Sequence, residues 1–522
     1  MNALTIGSVV GVIGSGAMGA GIAQVAAACG YRVKLYDTRP EAVDKALADI
    51  GKMYLKLAEK GRMTSLDAAA ATARLQAAAS LAEVADAALV VEAIVENLDV
   101  KRTLFAELET VVGDACILAT NTSSISVTAI AAKLRLPQRL VGMHFFNPVP
   151  LMALVEVISG LATSAAVADT VYATAAAWGK NPVHAKSTPG FIVNRVARPF
   201  YAEGLRLLTE QAGDPATIDA VLREAGGFRM GPFELMDLIG HDVNFSVTQS
   251  VFHAYFNDPR FTPSVLQQEM VNAGFLGRKS GRGFYQYGEG ASAPQPHTEA
   301  PQPRPEFVGY SHQAGDDNGG VSDALARRLG AAGFTISQRP FGGAAAAAEH
   351  ADAAPAFHCN GAAIYLSDGR SATERALANG HPDTVLFDLA LDYASATRIA
   401  LSRADQCSPA AYAAAVGLFQ AAGFAVSRLD DVPGLAVMRT VAMLANEAAD
   451  AVHQGVCSAA AVDVAMQKGV NYPRGPLAWA DAVGVAHIAT VLRNLADGYG
   501  EDRYRVSPLL RRKLAAKGRF HA

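Results

Sequence analysis

Cysteine is scarce and scattered in this sequence: Cys29, Cys116, Cys359, Cys407 and Cys457 lie far apart and never in a CxxC spacing. That distribution argues against a disulfide framework and against a structural zinc site, so no metal is expected. Long hydrophobic runs are also missing. AALVVEAIV at 87–95 falls well short of the roughly 20 residues that span a bilayer, and the N-terminus has no basic region followed by an apolar segment and a cleavage site. The expectation is a soluble, cytoplasmic chain with no membrane partner. Charge of one sign is not in excess either: 45 Lys+Arg against 49 Asp+Glu leave −4, which gives no general electrostatic footprint for nucleic acid. What remains is an ordinary globular composition, 51% hydrophobic, spread over 522 residues, which is more than one core normally serves. Partners should be small molecules or protein subunits.

A Pro/Gly/Ala-rich stretch, GEGASAPQPHTEAPQPRP at 288–305, has no periodicity and reads as an extended linker between two arms. In the first arm, SVVGVIG is a buried strand, AMGAGIAQVAAACG a helix of small residues and YRVKLYD a second strand, a βαβ unit. Helix and strand alternate to about residue 187, and from 188 helical patterns such as FIVNRVARPFYAEGLRLLTE take over. The second arm repeats this order. TPGFIVNR at 188–195 recurs as VPGLAVMR at 432–439, and GPFELMDLIG at 231–240 recurs as GPLAWADAVG at 475–484, both at an offset of 244 residues. A common offset at two sites points to an internal duplication of the helical domain. Between the linker and that copy, FVGYS, GFTIS, AAIYLS, TVLFDLA, RIALSR and GFAVSR alternate with helical runs. The expected architecture is an α/β Rossmann-like domain (1–187), an all-α helical domain (188–287), the linker, a degenerate α/β unit (306–428) and a second helical domain (429–522).

Gly14-Ser15-Gly16-Ala17-Met18-Gly19 is a GxGxxG directly after a strand and opening a helix. The first glycine permits the turn, the second admits a pyrophosphate to the backbone, and the third lets helix pack on strand. Asp37 ends the next strand, where an acid accepts from the adenine ribose diol and repels a 2′-phosphate, so NAD is favoured over NADP. The fingerprint alone leaves FAD open. In the second arm the corresponding VGYSHQAGDDNGG at 308–320 lacks the motif and should hold no dinucleotide.

GMHFFNPVP at 142–150 places a histidine in an apolar run. Such a histidine is either a satisfied core residue or, in an enzyme that oxidises an alcohol with a nicotinamide, the base that takes the hydroxyl proton. Glu156 in LMALVEVI can orient the imidazole, or be a partly exposed strand acid. Ser123 in NTSSIS can donate to a substrate oxygen, or cap a helix. Asn194 opens the helical domain inside an apolar segment, where an unpaired amide is costly.

GxGxMGxGIAQ, VVEAIVEN, NTSS, GMHFFNPVPLMALVEVI, TPGFIVNR, MGPFELMD and GRKSGRGFY resemble, in order and spacing, the motifs of NAD-dependent L-3-hydroxyacyl-CoA dehydrogenases. The resemblance covers about residues 7–287 and, less closely, the second helical copy. The tandem arrangement resembles the bacterial phenylacetate-degradation type, which acts on 3-hydroxyadipyl-CoA. It implies His144 as general base, Glu156 as its partner, Ser123 and Asn194 on the substrate oxygen, and Phe145 and Phe146 as a shield against water. It further implies Asp37, Glu96, Lys101, Asn121, Asn147 and Lys279 around NAD, beside the glycines. Coenzyme A would meet a helical arm at 41–76 through Lys60 and Lys56, together with Ser123; a solvated lysine is the plain alternative for both. Asn194 corresponds to Met438, whose thioether cannot replace the amide, so the second helical copy should be catalytically silent. Because the family's helical domain commonly forms the dimer contact, 429–522 should pack on 188–287 as an internal pseudo-dimer, with further homo-oligomerisation open.

Two other functions fit parts of the sequence: a non-catalytic NAD-binding or structural relative, and a β-hydroxyacid dehydrogenase acting on a free acid. The complete set of Ser123, His144, Glu156 and Asn194 speaks against the first. NTSS and HFFNPVP speak against the second, which typically uses a lysine. An adipyl substrate ends in a carboxylate, and Arg198, four residues beyond Asn194, is a possible contact for it, with a surface charge as the plainer reading.

Overall fold

The computed structural model describes residues 2–310, 321–338 and 355–521. They fall into two compact units, the first formed by Met1–Arg195 with Gln454–Asn471, the second by Val196–His453 with Tyr472–Ala522.

The first unit is built on an eight-stranded sheet of β1 (Val9–Ile13), β2 (Arg32–Tyr36), β3 (Leu75–Ala77), β4 (Leu89–Glu92), β5 (Ile117–Thr120), β6 (Leu140–Phe145), β7 (Leu154–Ser159) and β8 (Asn181–Lys186). Its order is β3-β2-β1-β4-β5-β6-β7-β8. Strands β1, β4 and β5 are buried along their whole length, as parallel strands covered on both faces must be, and so read as unbroken apolar runs. Strand order reverses between β1 and β4, which opens a crevice at their carboxyl ends, where α/β sheets hold ligands. Only β6 and β7 pair antiparallel, and their register sets His144 opposite Glu156. Between β2 and β3 the chain makes an arm of two helices, α2 (Pro40–Glu59) and α3 (Ser65–Ala73), after α1 (Ala17–Ala28) has crossed from β1 to β2. The helix Ala459–Gly469 packs on β7 and β8.

The second unit contains helices of the first arm, a seven-stranded sheet and the remaining helices of the second arm. The sheet comprises β9 (Val308–Tyr310), β10 (Ile336–Gln338), β11 (Phe357–Cys359), β12 (Ala362–Leu366), β13 (Thr384–Phe387), β14 (Arg398–Arg403) and β15 (Ala425–Arg428), ordered β10-β9-β11-β12-β13-β14-β15. Its β13–β14 pair is antiparallel and β14–β15 parallel, the same sequence of directions as β6–β7–β8. Strand β14 lies 244 positions on from β7 at both ends. The loop expected to lack a dinucleotide fingerprint, at 311–320, lies outside the described residues. No helix among the described residues is long and apolar enough to cross a membrane.

The same offset relates contacts inside each unit. In the first, Arg195 donates to Gln454 (2.9 Å) and the Lys186 amide to the Val456 carbonyl (2.9 Å). In the second, Arg439 donates to Glu210 (2.9 Å) and the Asp430 amide to the Ala212 carbonyl (2.8 Å). Helix Pro215–Glu224 packs on β14 as Ala459–Gly469 packs on β7.

Candidate active site

The glycine loop leaves β1 through Gly14, whose φ of 104° suits a residue without a side chain. A Cβ on Gly19 would lie 1.8 Å from the Gly14 carbonyl oxygen, so only glycine lets α1 seat against the loop. A Cβ on Gly16 would meet nothing within 4 Å, which leaves its backbone open to a pyrophosphate at the helix N-terminus. Asp37 at the end of β2 accepts from the Ser15 amide (2.9 Å) and hydroxyl (2.8 Å) and the Arg39 amide (3.1 Å). Burial alone would raise its carboxyl, but these hydrogen bonds outweigh it and hold the group below the ordinary value. Loop, helix end and ionised ribose acceptor all fit NAD.

On β6, side chains alternate between faces. Met143 and Phe145 turn into the core, Phe145 stacking on Trp178, while His144 turns to the other face. There Phe146 lies 4.5 Å and Phe191 5.9 Å from the imidazole, centroid to centroid. Of the two phenylalanines expected to shield the ring, Phe146 lies against it together with Phe191, and Phe145 is a core residue. His144 Nδ1 is 2.7 Å from Glu156 Oε2, and the other oxygen of that fully buried carboxylate accepts from the Ile192 (2.9 Å) and Val193 (3.0 Å) amides. Glu156 is thus not a partly exposed strand acid. It fixes the ring and the start of the next helical segment together.

Ser123 follows β5 and is no helix cap; Ser126 caps the short helix Val127–Ala131. The turn holding Ser123 is gripped by Glu96, whose Oε1 accepts from the Thr122 hydroxyl (2.6 Å), the Ser123 amide (2.9 Å) and the Ser124 amide (3.1 Å). Burial would raise the Glu96 carboxyl, but the Thr122 hydroxyl and the Lys101 charge outweigh it and hold it low. Lys101, 1% exposed, lies 3.2 Å from Glu96 and 2.6 Å from the fully buried Glu92, which also accepts from Thr120 (2.7 Å). Lys101 therefore stands behind Glu96. Glu92, inside the apolar run LVVE, falls in the VVEAIVEN motif, but nothing in the sequence marks it as the partner of Lys101.

Asn121 accepts the Phe145 amide at 2.8 Å and so ties the end of β5 to the residue after His144. Asn147 is exposed at the mouth of the turn. Asn194 donates to the Ser123 carbonyl at 3.3 Å and follows Val193, whose amide holds Glu156. Lys56 and Lys60 are exposed at the end of α2 and pair with no carboxylate among the described residues. Lys279 belongs to the second unit, where it pairs with Asp242 at 2.5 Å, and Arg198 there is buried and donates to Thr248 at 3.0 Å.

In the second arm, the residue 244 positions on from His144 is Asp388, and the one on from Glu156 is Ala400. Asp388 accepts from the Ala436 (2.9 Å), Val437 (2.7 Å) and Met438 (2.9 Å) amides, so a carboxylate on the base's strand position holds the helix start directly, with no imidazole. Burial pushes it up to about 6.

The model of the 3-hydroxyacyl-CoA dehydrogenase NAD binding domain matches residues 9–188, and that of the C-terminal domain of the same family matches 190–287 and 434–521. The chain belongs to the 3-hydroxyacyl-CoA dehydrogenase family. A 3-hydroxybutyryl-CoA dehydrogenase reduced Rossmann-fold domain matches 364–433. The Escherichia coli K12 protein named 3-hydroxyadipyl-CoA dehydrogenase is 41% identical over 98% of both chains. A Bacillus subtilis protein named probable 3-hydroxybutyryl-CoA dehydrogenase is 43% identical over 54% of this chain and 98% of its own. A crystal structure titled 3-hydroxybutyryl-CoA dehydrogenase from Escherichia coli K12 superposes with a TM-score of 0.85 at 40% identity, covering 98% of this chain and 99% of that one. Members of this family oxidise 3-hydroxyacyl-CoA with NAD, and this chain is an NAD-dependent enzyme of that kind with a Rossmann-like fold.

Proposed function

We propose that the chain oxidises (S)-3-hydroxyacyl-CoA to 3-oxoacyl-CoA in the cytoplasm, with 3-hydroxyadipyl-CoA as the preferred substrate. The observation that carries the chemistry is the His144–Glu156 dyad beside Ser123 and Asn194. With Nδ1–H donating to Glu156, Nε2 keeps a lone pair and accepts the proton of the C3 hydroxyl. The imidazolium that results is paired at once with Glu156, whose charge is anchored by two amides. Ser123 and Asn194 hold the substrate oxygen as it becomes a carbonyl. Bound NAD would supply the acceptor for the hydride that leaves C3. Gly14, Gly16, Gly19 and Asp37 would hold it, with Glu96, Asn121 and Asn147 around it and Lys101 holding Glu96 from behind. Lys56 and Lys60 on the arm would meet the coenzyme A phosphates.

The adipyl preference is supported by the similarity to a protein of that name along almost the whole chain. A 3-hydroxybutyryl substrate is the second reading, favoured by the names of relatives matching the first arm and of the solved structure. NADH formation with both thioesters decides between them. A kcat/KM for the adipyl compound more than about tenfold higher, about 1.4 kcal/mol of transition-state discrimination, supports the first reading, and the reverse ratio overturns it.

We further infer that the two arms arose by duplication and meet as an internal pseudo-dimer. The support is reciprocity: Arg195–Gln454 and Arg439–Glu210 are one contact made twice with the partners exchanged, as in a two-fold interface. Asp388, Ala400 and Met438 in place of His144, Glu156 and Asn194 leave the second arm without the dyad or the amide, hence silent.

A further inference from the structure

The two arms differ in what covers the outer edge of the last strand. In the second unit, the edge of β15 is covered by the chain's own linker. The Glu299 amide donates to the Val426 carbonyl (2.7 Å), the Ser427 hydroxyl to the His297 carbonyl (2.6 Å), and the His297 amide to the Thr217 hydroxyl (2.8 Å). Gln420 then holds Glu299, Ala300 and Gln302 along the neighbouring helix. The linker thus lies extended in a groove between β15 and the first turn of helix Pro215–Glu224.

The counterpart groove in the first unit, between β8 and the first turn of helix Ala459–Gly469, is open. It is a cavity of about 820 Å³ lined by β8, by Tyr172 and by the segment around Gly455–Val464. Pro182 stands where Val426 stands and keeps the carbonyl, the one backbone group there that the linker engages. Val183 and Ala461 replace Ser427 and Thr217, so the groove keeps its shape with fewer hydroxyls. Tyr172 stacks on His184 at 4.6 Å along one wall. Lys186 lines the groove as its exposed cation, and no carboxylate lines it among the described residues; Lys180 donates to the Val149 (2.5 Å) and Met152 (2.9 Å) carbonyls, and His184 is paired with Asp169 at 3.4 Å.

We propose that this groove is a docking site for an extended, acidic, proline-bearing peptide segment of a partner protein. The occupant's form is given by the linker in the equivalent groove, which carries Glu299, and its charge by Lys186. Backbone pairing to a sheet edge supplies affinity, and the groove's side chains supply selection. The proposal rests on the equivalence of the two arms inferred above. A chain that binds the peptide yet turns over neither thioester would sink the proposed substrates and leave this proposal standing.

The test uses the full-length protein and a fluorescent synthetic peptide with the linker's own sequence, PQPHTEAPQP (294–303), followed by anisotropy. Saturable binding below about 1 mM is expected. Lys186→Glu should weaken it, and Ala461→Thr, which restores the acceptor provided by Thr217, should tighten it by roughly two- to tenfold, the worth of one hydrogen bond. Both variants should keep NADH formation at the parent rate, which shows that they fold. Absence of saturable binding, or binding that neither variant changes, overturns the proposal.

Discussion

Glu96 shows at the scale of one residue how a carboxylate serves a site from behind. It gathers the amides and hydroxyls of the turn that carries Ser123 and is itself held by Lys101. Its folded-state carboxyl titrates below the value it has in the unfolded chain, so its contribution to stability is complete above about pH 4.5 and lost as pH falls through the folded value. Glu96→Gln should therefore lower the Tm at pH 7 and lose this disadvantage progressively below pH 4.5, a convergence that thermal melts across pH would show. Replacing His144 by glutamine removes the proposed base while keeping a polar side chain. kcat should fall by about 10²–10⁴-fold with the KM for NAD little changed, as stopped-flow or steady-state NADH absorbance would measure. The proposed catalytic four were legible in sequence because each stands in a recognisable motif, NTSS, GMHFFNPVP, LMALVEVI or TPGFIVNR. Glu92 was not, since its burial depends on strands from three separate stretches of chain meeting above it. Phe145 and Phe146 could be told apart only once β6 fixed which of them shares the face of His144.

Among elements, α1 and its loop are the tightest fit. Gly19→Ala would force a methyl against the Gly14 carbonyl, moving the helix off the strand and spoiling the amide cradle. NAD affinity should drop at least about tenfold in a fluorescence titration, about 1.4 kcal/mol, before any effect on chemistry. The helix that begins near Ala436 depends on Asp388 in a different way. Removing that acceptor as Asp388→Ala leaves buried amides unsatisfied and should cost about 2–4 kcal/mol in urea denaturation. Specific activity per folded molecule should stay unchanged. Six of the seven strands of the second sheet were visible as short apolar runs; Phe357–Cys359 was missed because His358 breaks the run and Asn360-Gly361 follows as a turn signal. The exchange of His144 for Asp388 was readable too, by carrying the 244-residue offset back from the helical copy into the strands.

Across the molecule, the reciprocal contacts concentrate charge where there is little water. Arg439 is fully buried and donates to Glu203 (2.6 Å), Glu210 (2.9 Å) and Tyr504 (3.0 Å). Arg439→Met strands the buried Glu203 carboxylate and should destabilise the second unit by about 3–5 kcal/mol. The two tryptophans separate the units: Trp178 belongs to the first and Trp479 to the second. In a Trp178→Phe background, the urea midpoint reported by Trp479 should move down in the arginine variant.

The placement of helix Ala459–Gly469 on β7 and β8 also bears on how the protein comes into being at the ribosome. The first unit is contiguous to Arg195 and then waits for Gln454, 259 positions later. At about 5–20 residues per second, that interval lasts roughly 13–50 s of translation. Throughout it the part of β7 and β8 that this helix covers lacks that cover, so the nascent dehydrogenase domain must persist incomplete in the cell before its first unit is whole.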